Sequence, residues 1–133
     1  MTKTQILEQM NSFRGYNYHN GIRIIDFGKD FAVVEGKLRP EALNPLNIAH
    51  GGFVYSMCDT AAGVAVGVTG RSCVTLSSNI HYLRPSTGSA LRAEGRIIKD
   101  GSHIVMVEST VTDESGSVTA KACFELFIKE RRS

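Results

Sequence analysis

Residues 50–67, HGGFVYSMCDTAAGVAVG, constrain this chain more than any other stretch. From Phe53 onward they are long enough for four helical turns, and apolar or small residues fall on almost every face. A helix that is hydrophobic all round is normally a buried one, so the rest of the chain is expected to wrap it. Asp59 is the only Asp, Glu, Lys or Arg between Glu41 and Arg71. A lone carboxylate in a buried helix costs several kcal/mol unless it is hydrogen-bonded, paired or protonated. Hydroxyls or backbone amides could satisfy it structurally. The glycine pair that opens the same helix favours a catalytic role instead.

The flanking segments supply the wrapping. Ile6, Leu7 and Met10 fall at helical spacing within residues 3–12 and predict a short amphipathic helix. Residues 13–20, with Gly15, Asn17 and Asn20, read as a loop. Residues 22–27 and 31–38 read as two strands of a hairpin around Gly28-Lys29-Asp30, ended by Pro40. Residues 41–50 form a polar approach to the helix. After a turn at Gly70-Arg71-Ser72, residues 73–83, 90–99, 102–112 and 118–129 all read as strand. In the last of these, Ala120, Ala122, Phe124, Leu126 and Ile128 alternate with Lys121, Cys123, Glu125 and Lys129, which predicts one wet face. The expected fold is therefore α+β, an antiparallel sheet curved around a central helix at about residues 51–68. At 133 residues the chain reads as one domain, 1–133, with one core.

Bulk properties remove several function classes. A net charge of +2 without a basic stripe argues against nucleic acid and against a membrane surface. Cys58, Cys73 and Cys123 form neither a disulfide framework nor a metal-type spacing, and read as reduced thiols of a cytoplasmic protein. His19, His81 and His103 are scattered, so no metal is expected. No Gly-x-Ser-x-Gly elbow is present, which removes a serine hydrolase of that type. Cys58 precedes Asp59 but sits on an apolar face, as core cysteines do.

The chemistry concentrates at Gly51, Gly52 and Asp59. Backbone N–H groups at a helix start lack intrahelical partners. With the positive end of the helix dipole behind them, they suit a developing oxyanion. Asp59 lies about 12 Å beyond Gly51 at ~1.5 Å per helical residue, too far for one carbonyl to meet both groups of one chain. Two such helices antiparallel across a two-fold axis would bring Gly51 of one subunit to Asp59 of the other, and monomers would be inactive.

The run Asn44, five residues, His50-Gly51-Gly52, six residues, Asp59-Thr60-Ala61, followed by Asn79-Ile80-His81-Tyr82-Leu83-Arg84-Pro85, resembles the hotdog-fold acyl-CoA thioesterases of the PaaI-like type over about residues 40–130. The resemblance implies a curved antiparallel sheet around a long helix, assembled as homodimers and dimers of dimers. It implies Asp59 as general base or nucleophile and Gly51 as the N–H that polarises the thioester carbonyl. His50 and Asn44 would position the loop and bind the carbonyl or leaving sulfur. Thr75, with Ser77 as the alternative, would orient the attacking water. His50 is open at this point between a catalytic base and a simple cap.

For the phosphates of coenzyme A the basic candidates are Arg84, Arg96, Lys99 and Lys121, with the turn Lys99-Asp100-Gly101-Ser102 favoured because backbone amides and a cation coincide there. Gly52, Ser77 and Tyr82 complete the candidate binding set. The expected function is hydrolysis of small or aromatic acyl-CoA thioesters without metal or redox cofactor, coenzyme A entering only as part of the substrate. A hotdog hydratase or dehydratase and a non-catalytic acyl-CoA sensor are the alternatives.

Overall fold

The computed structural model describes residues 1–131. Six strands, β1 (Ile22–Phe27), β2 (Phe31–Lys37), β3 (Arg71–Tyr82), β4 (Ala90–Asp100), β5 (Ile104–Thr112) and β6 (Val118–Arg131), form one antiparallel sheet in the order β1-β2-β4-β5-β6-β3. The helices are α1 (Lys3–Asn11), α2 (Tyr16–His19) and the central α3 (Gly51–Gly67). This is the hotdog arrangement, a curved sheet folded around one long helix.

The period-2 pattern of β6 operates as expected. Ala120, Ala122, Phe124, Leu126 and Ile128 are buried against α3, while Lys121, Glu125 and Phe127 stand on the outer face. From α3, Phe53, Val54, Met57, Cys58, Ala61, Ala62, Ala65 and Val66 enter the core. The alanines let the helix lie close to the sheet. A Cβ placed on Gly95 of β4 would sit 2.6 Å from the Ala61 carbonyl oxygen. The buried Ser109 hydroxyl donates to the Cys58 carbonyl at 2.9 Å, a polar tie across the same contact.

Four expectations need correction. Residues 13–20 are not all loop, because Tyr16–His19 form a helical turn held by tertiary hydrogen bonds that no local pattern announces. Strand β3 already begins at Arg71, since the Thr69 and Gly70 amides close the turn onto the last carbonyls of α3. Strand β5 begins at Ile104, not 102. Finally, α3 is not buried all round. Gly52 is exposed, Tyr55, Ser56, Asp59, Thr60, Gly63 and Gly67 are half-buried, and nothing lies within 4 Å of a Cβ placed on Gly63 or Gly67. The sheet covers only one side of the helix, and the residues left out share a single arc of its surface.

The two edges of the sheet differ. On β1, the Asn11 side chain mimics a strand partner, donating to the Ile24 carbonyl and accepting from the Ile24 N–H, both at 2.8 Å. Over the 12 residues of β3 the outer edge has no strand partner among the described residues. Val74 and Leu76 are exposed there.

Candidate active site

The first half of the site is the start of α3. His50 is the N-cap, and its Nδ1 accepts from the Gly52 N–H at 2.8 Å. Accepting at Nδ1 puts the ring proton of the neutral imidazole on Nε2. Gly52 is therefore not an available oxyanion donor, because its N–H is committed to this cap. The Gly51 N–H, at the first helical position, donates to nothing among the described residues, as expected for a helix start. Tyr82 fixes that residue from below, its phenol donating to the Gly51 carbonyl at 2.7 Å. A Cβ on Gly51 would lie only 3.2 Å from the Tyr82 hydroxyl. Burial raises the Tyr82 pKa above its ordinary value.

Asn44 organises the loop that delivers His50. Its Oδ1 accepts from the N–H groups of Leu46 and Ile48 at 2.9 and 3.3 Å, and Asn47 takes the left-handed conformation at φ 61° to close the turn. The Asn44 Nδ2 donor is unspent among the described residues. Asn44, Gly51, Val54, Tyr82, Leu83 and Arg84 line a groove of about 410 Å³. The structure thus brings four sequence candidates, Asn44, Gly51, Tyr82 and Arg84, to one place.

The second half is Asp59. Thr75 on β3 donates its hydroxyl to Asp59 Oδ1 at 2.6 Å. Ser77 does not share this position. A register shift between Thr75 and Ser77 turns Ser77 to the outer face, where its hydroxyl donates to Glu125 at 3.0 Å. Asp59 is half-buried, so the desolvation expected of a fully enclosed carboxylate does not apply to one chain alone. It opens on a second groove of about 420 Å³, lined also by Tyr16, Asn17, Tyr55, Ser56 and Thr60. The two grooves share no residue.

The neighbouring cysteines are not nucleophiles. Burial, aided by the Asp59 charge, pushes the Cys58 thiol up to about 12, and the same two causes raise Cys73. A thiol, not a thiolate, is present near neutral pH.

The favoured phosphate turn is separate from both grooves. Gly101 and Ser102 line a shallow cleft with Thr69, Arg71 and Asp100, and Lys99 lies outside it. Arg71, with only 7% of its side chain exposed, is paired with Asp100 at 2.5 Å and donates from Nε to Thr69 at 2.8 Å. Asp100 therefore pairs the cation of this cleft, and the charge the turn could offer an anion is already met by a carboxylate. Lys121 and Arg96 are likewise engaged, with Glu108 at 3.3 Å and Glu94 at 2.6 Å. Sequence reasoning missed Tyr16 and Asn17, which lie in the segment read as loop. No group of three or more metal-ligating side chains occurs among the described residues, and no helix among them is long and apolar enough to cross a membrane.

The thioesterase superfamily model matches residues 46–120, which include Gly51, Asp59 and Thr75. The chain belongs to the thioesterase superfamily. It is a thioester hydrolase of the PaaI-like hotdog type. Among its relatives is the acyl-coenzyme A thioesterase PaaI of Escherichia coli K12, 29% identical over 101 residues, which span 75% of this chain and 72% of that one. A Streptococcus mutans UA159 protein solved bound to acetyl CoA is 30% identical with a TM-score of 0.83, over 92% of this chain and 100% of that one. A hypothetical thioesterase of Streptococcus pneumoniae TIGR4, solved with coenzyme A, is 29% identical with a TM-score of 0.80, over 84% and 88% of the two chains. The pneumococcal protein has also been solved with an aspartate replaced by alanine and with a threonine replaced by alanine, positions sixteen apart in its sequence.

Proposed function

We propose that this thioesterase hydrolyses small or aromatic acyl-CoA thioesters at a site assembled from two chains. The observation that carries the reading is the division of the site. The carboxylate with its threonine opens on one groove, and the unspent Gly51 N–H opens on another, about 12 Å further along the same helix at ~1.5 Å per residue. A second copy, antiparallel along the open arc of α3, joins each carboxylate to the other chain's amide. The glycines at 63 and 67 permit the close approach, and the bare β3 edge offers the second copy a strand to pair with. The coenzyme A seen in the streptococcal proteins and the activity named for the Escherichia coli relative support the substrate class. The replaced aspartate and threonine of the pneumococcal protein have the same spacing as Asp59 and Thr75.

On this reading the thioester carbonyl accepts a hydrogen bond from the Gly51 N–H, with Asn44 Nδ2 as a further donor at the same groove. Asp59, held by Thr75, takes a proton from a water that attacks the carbonyl carbon. The resulting oxyanion rests on the amide until the C–S bond breaks and the coenzyme A thiolate leaves with the electron pair. Thiolate is a good leaving group, so one base and one or two oxyanion donors suffice without a metal or redox cofactor. Arg84, at the rim of the Gly51 groove, is the cation placed to meet the phosphates. The same reading puts the enzyme in the cytoplasm with its cysteines reduced, and pairs the dimers into a tetramer. The outer-face cluster of Val74, Phe127 and Ile104, neighbours in register across β3, β6 and β5 and all exposed, supports that second interface.

The test is thiol release from a panel of acyl-CoAs, read with a thiol reagent. Release from short-chain or aromatic acyl-CoAs is expected; an enzyme silent on the whole panel is not an acyl-CoA thioesterase.

A further inference from the structure

The groove beside Asp59 has a wall that the sequence did not announce. Helix α2 lies outside the stretch matched by the family model, residues 46–120. It places two side chains against the turn of α3 that carries the carboxylate. Ser56 spends its one proton on the Gly52 carbonyl at 2.7 Å, so at 2.9 Å it accepts from the Tyr16 phenol. Thr60 donates to Asn17 Oδ1 at 3.1 Å, which leaves the Asn17 amide nitrogen unspent among the described residues. Ser56, Asp59 and Thr60 lie three and four residues apart, on one face of the helix. The two latches therefore flank the carboxylate. Arg39 secures the far end of α2, donating from Nη2 to the His19 carbonyl at 2.9 Å.

Nothing in α2 is buried, and Tyr16 is 60% exposed. The segment adds no core residue, and what its three latches fix is the position of Tyr16 and Asn17. Its contribution is to the groove, of which Tyr16 and Asn17 form one side. The reacting carbonyl must lie at Asp59, so an acyl group reaching into this groove runs along Tyr55 and Ser56 toward Tyr16 and Asn17. The far side of the groove presents the Tyr16 ring together with the amide of Asn17 and the hydroxyls of Ser56 and Thr60. Added methylenes would meet polar groups and the tyrosine ring, and lose the gain that apolar burial normally brings.

We propose that α2, through Tyr16 and Asn17, is the acyl-specificity wall of this enzyme and limits it to short acyl groups. The proposal rests on the acyl-CoA reading above. Its test is the ratio of kcat/KM for octanoyl-CoA to that for acetyl-CoA, measured for the wild type, Tyr16→Ala and Asn17→Ala. Tyr16→Ala should raise that ratio roughly tenfold or more, since a pocket discriminates chain length by about that factor. Asn17→Ala should move it in the same direction. A folded Tyr16→Ala enzyme that changes both substrates by a common factor, or changes neither, overturns the wall while leaving the hydrolytic reading intact. A wild type that releases thiol from no acyl-CoA brings down the hydrolytic reading and the wall together. If Tyr16→Ala fails to give a cooperative melt, Asn17→Ala decides by the same ratio.

Discussion

At the scale of single residues, the site turns on which face a side chain takes. Alternation along β3 puts Thr75 and Ser77 on the same side of the sheet, so the sequence leaves both in play. The bulge between them sends Ser77 outward to Glu125 and leaves Thr75 at Asp59. Asp59 itself was legible, as the one charge in a long apolar run. The sharing of work between the glycines was not, because only the placed His50 ring shows the Gly52 N–H already spent. If Asp59 is the base, Asp59→Asn should cut kcat by ~10²–10⁴-fold with little change in KM, and steady-state kinetics that show retained turnover would remove it from the chemistry. Cys58 yields a prediction of different kind. Its thiol is raised from an ordinary 9.0 to about 12, chiefly by burial. An acid raised in the fold favours the protonated form, so its contribution is complete below pH 9 and is lost as pH climbs toward 12. Denaturant melts should therefore show stability falling across that interval, and Cys58→Ala should flatten the slope there while lowering stability at neutral pH.

At the scale of elements, α3 was legible as a long run that is apolar or small on almost every face, and β6 by its period-2 alternation. Short α2 was not, since four residues carry no period and this helix is held by partners far along the chain. The contact of α3 with β4 is also a tertiary fact. The missing Cβ of Gly95 is what admits the helix. A methyl there would lie 2.6 and 2.7 Å from the Ala61 carbonyl oxygen and carbon, backbone that cannot turn aside. At Gly36 the first atoms met are Met57 Sδ and Phe53 Cζ, the ends of side chains that can rotate. Gly95→Ala should thus cost about 1–3 kcal/mol, the range for overpacking a filled core, and Gly36→Ala should cost less. Equal midpoints for the two variants in chemical denaturation would show that α3 rides on the sheet more loosely than this geometry says.

At the scale of the whole molecule, the prediction concerns who owns the active site. Asp59→Asn damages the carboxylate half, and Gly51→Pro deletes the oxyanion N–H from the other half. Proline is suited to the first helical position, and His50 at φ −61° and ψ 137° already has the extended conformation that precedes a proline. Its Cβ would crowd the Tyr82 hydroxyl at 3.2 Å. Gly51→Ala introduces the same crowding but keeps the N–H, so the difference between the two variants isolates the donor. Each of Asp59→Asn and Gly51→Pro should be nearly inactive alone. Mixed and refolded together in equal amounts, half of the dimers are hybrids. In each hybrid one composite site has both defects, and the other joins an intact Asp59 to an intact Gly51. About a quarter of wild-type sites should then return, by the two-fold symmetry of the pairing. If each chain instead carried a complete site, every site in the mixture would hold one defect and no activity would return. Activity recovered in proportion to the hybrid fraction, measured by thiol release against the hybrid content of the mixture, is the signature of a site that neither chain possesses by itself.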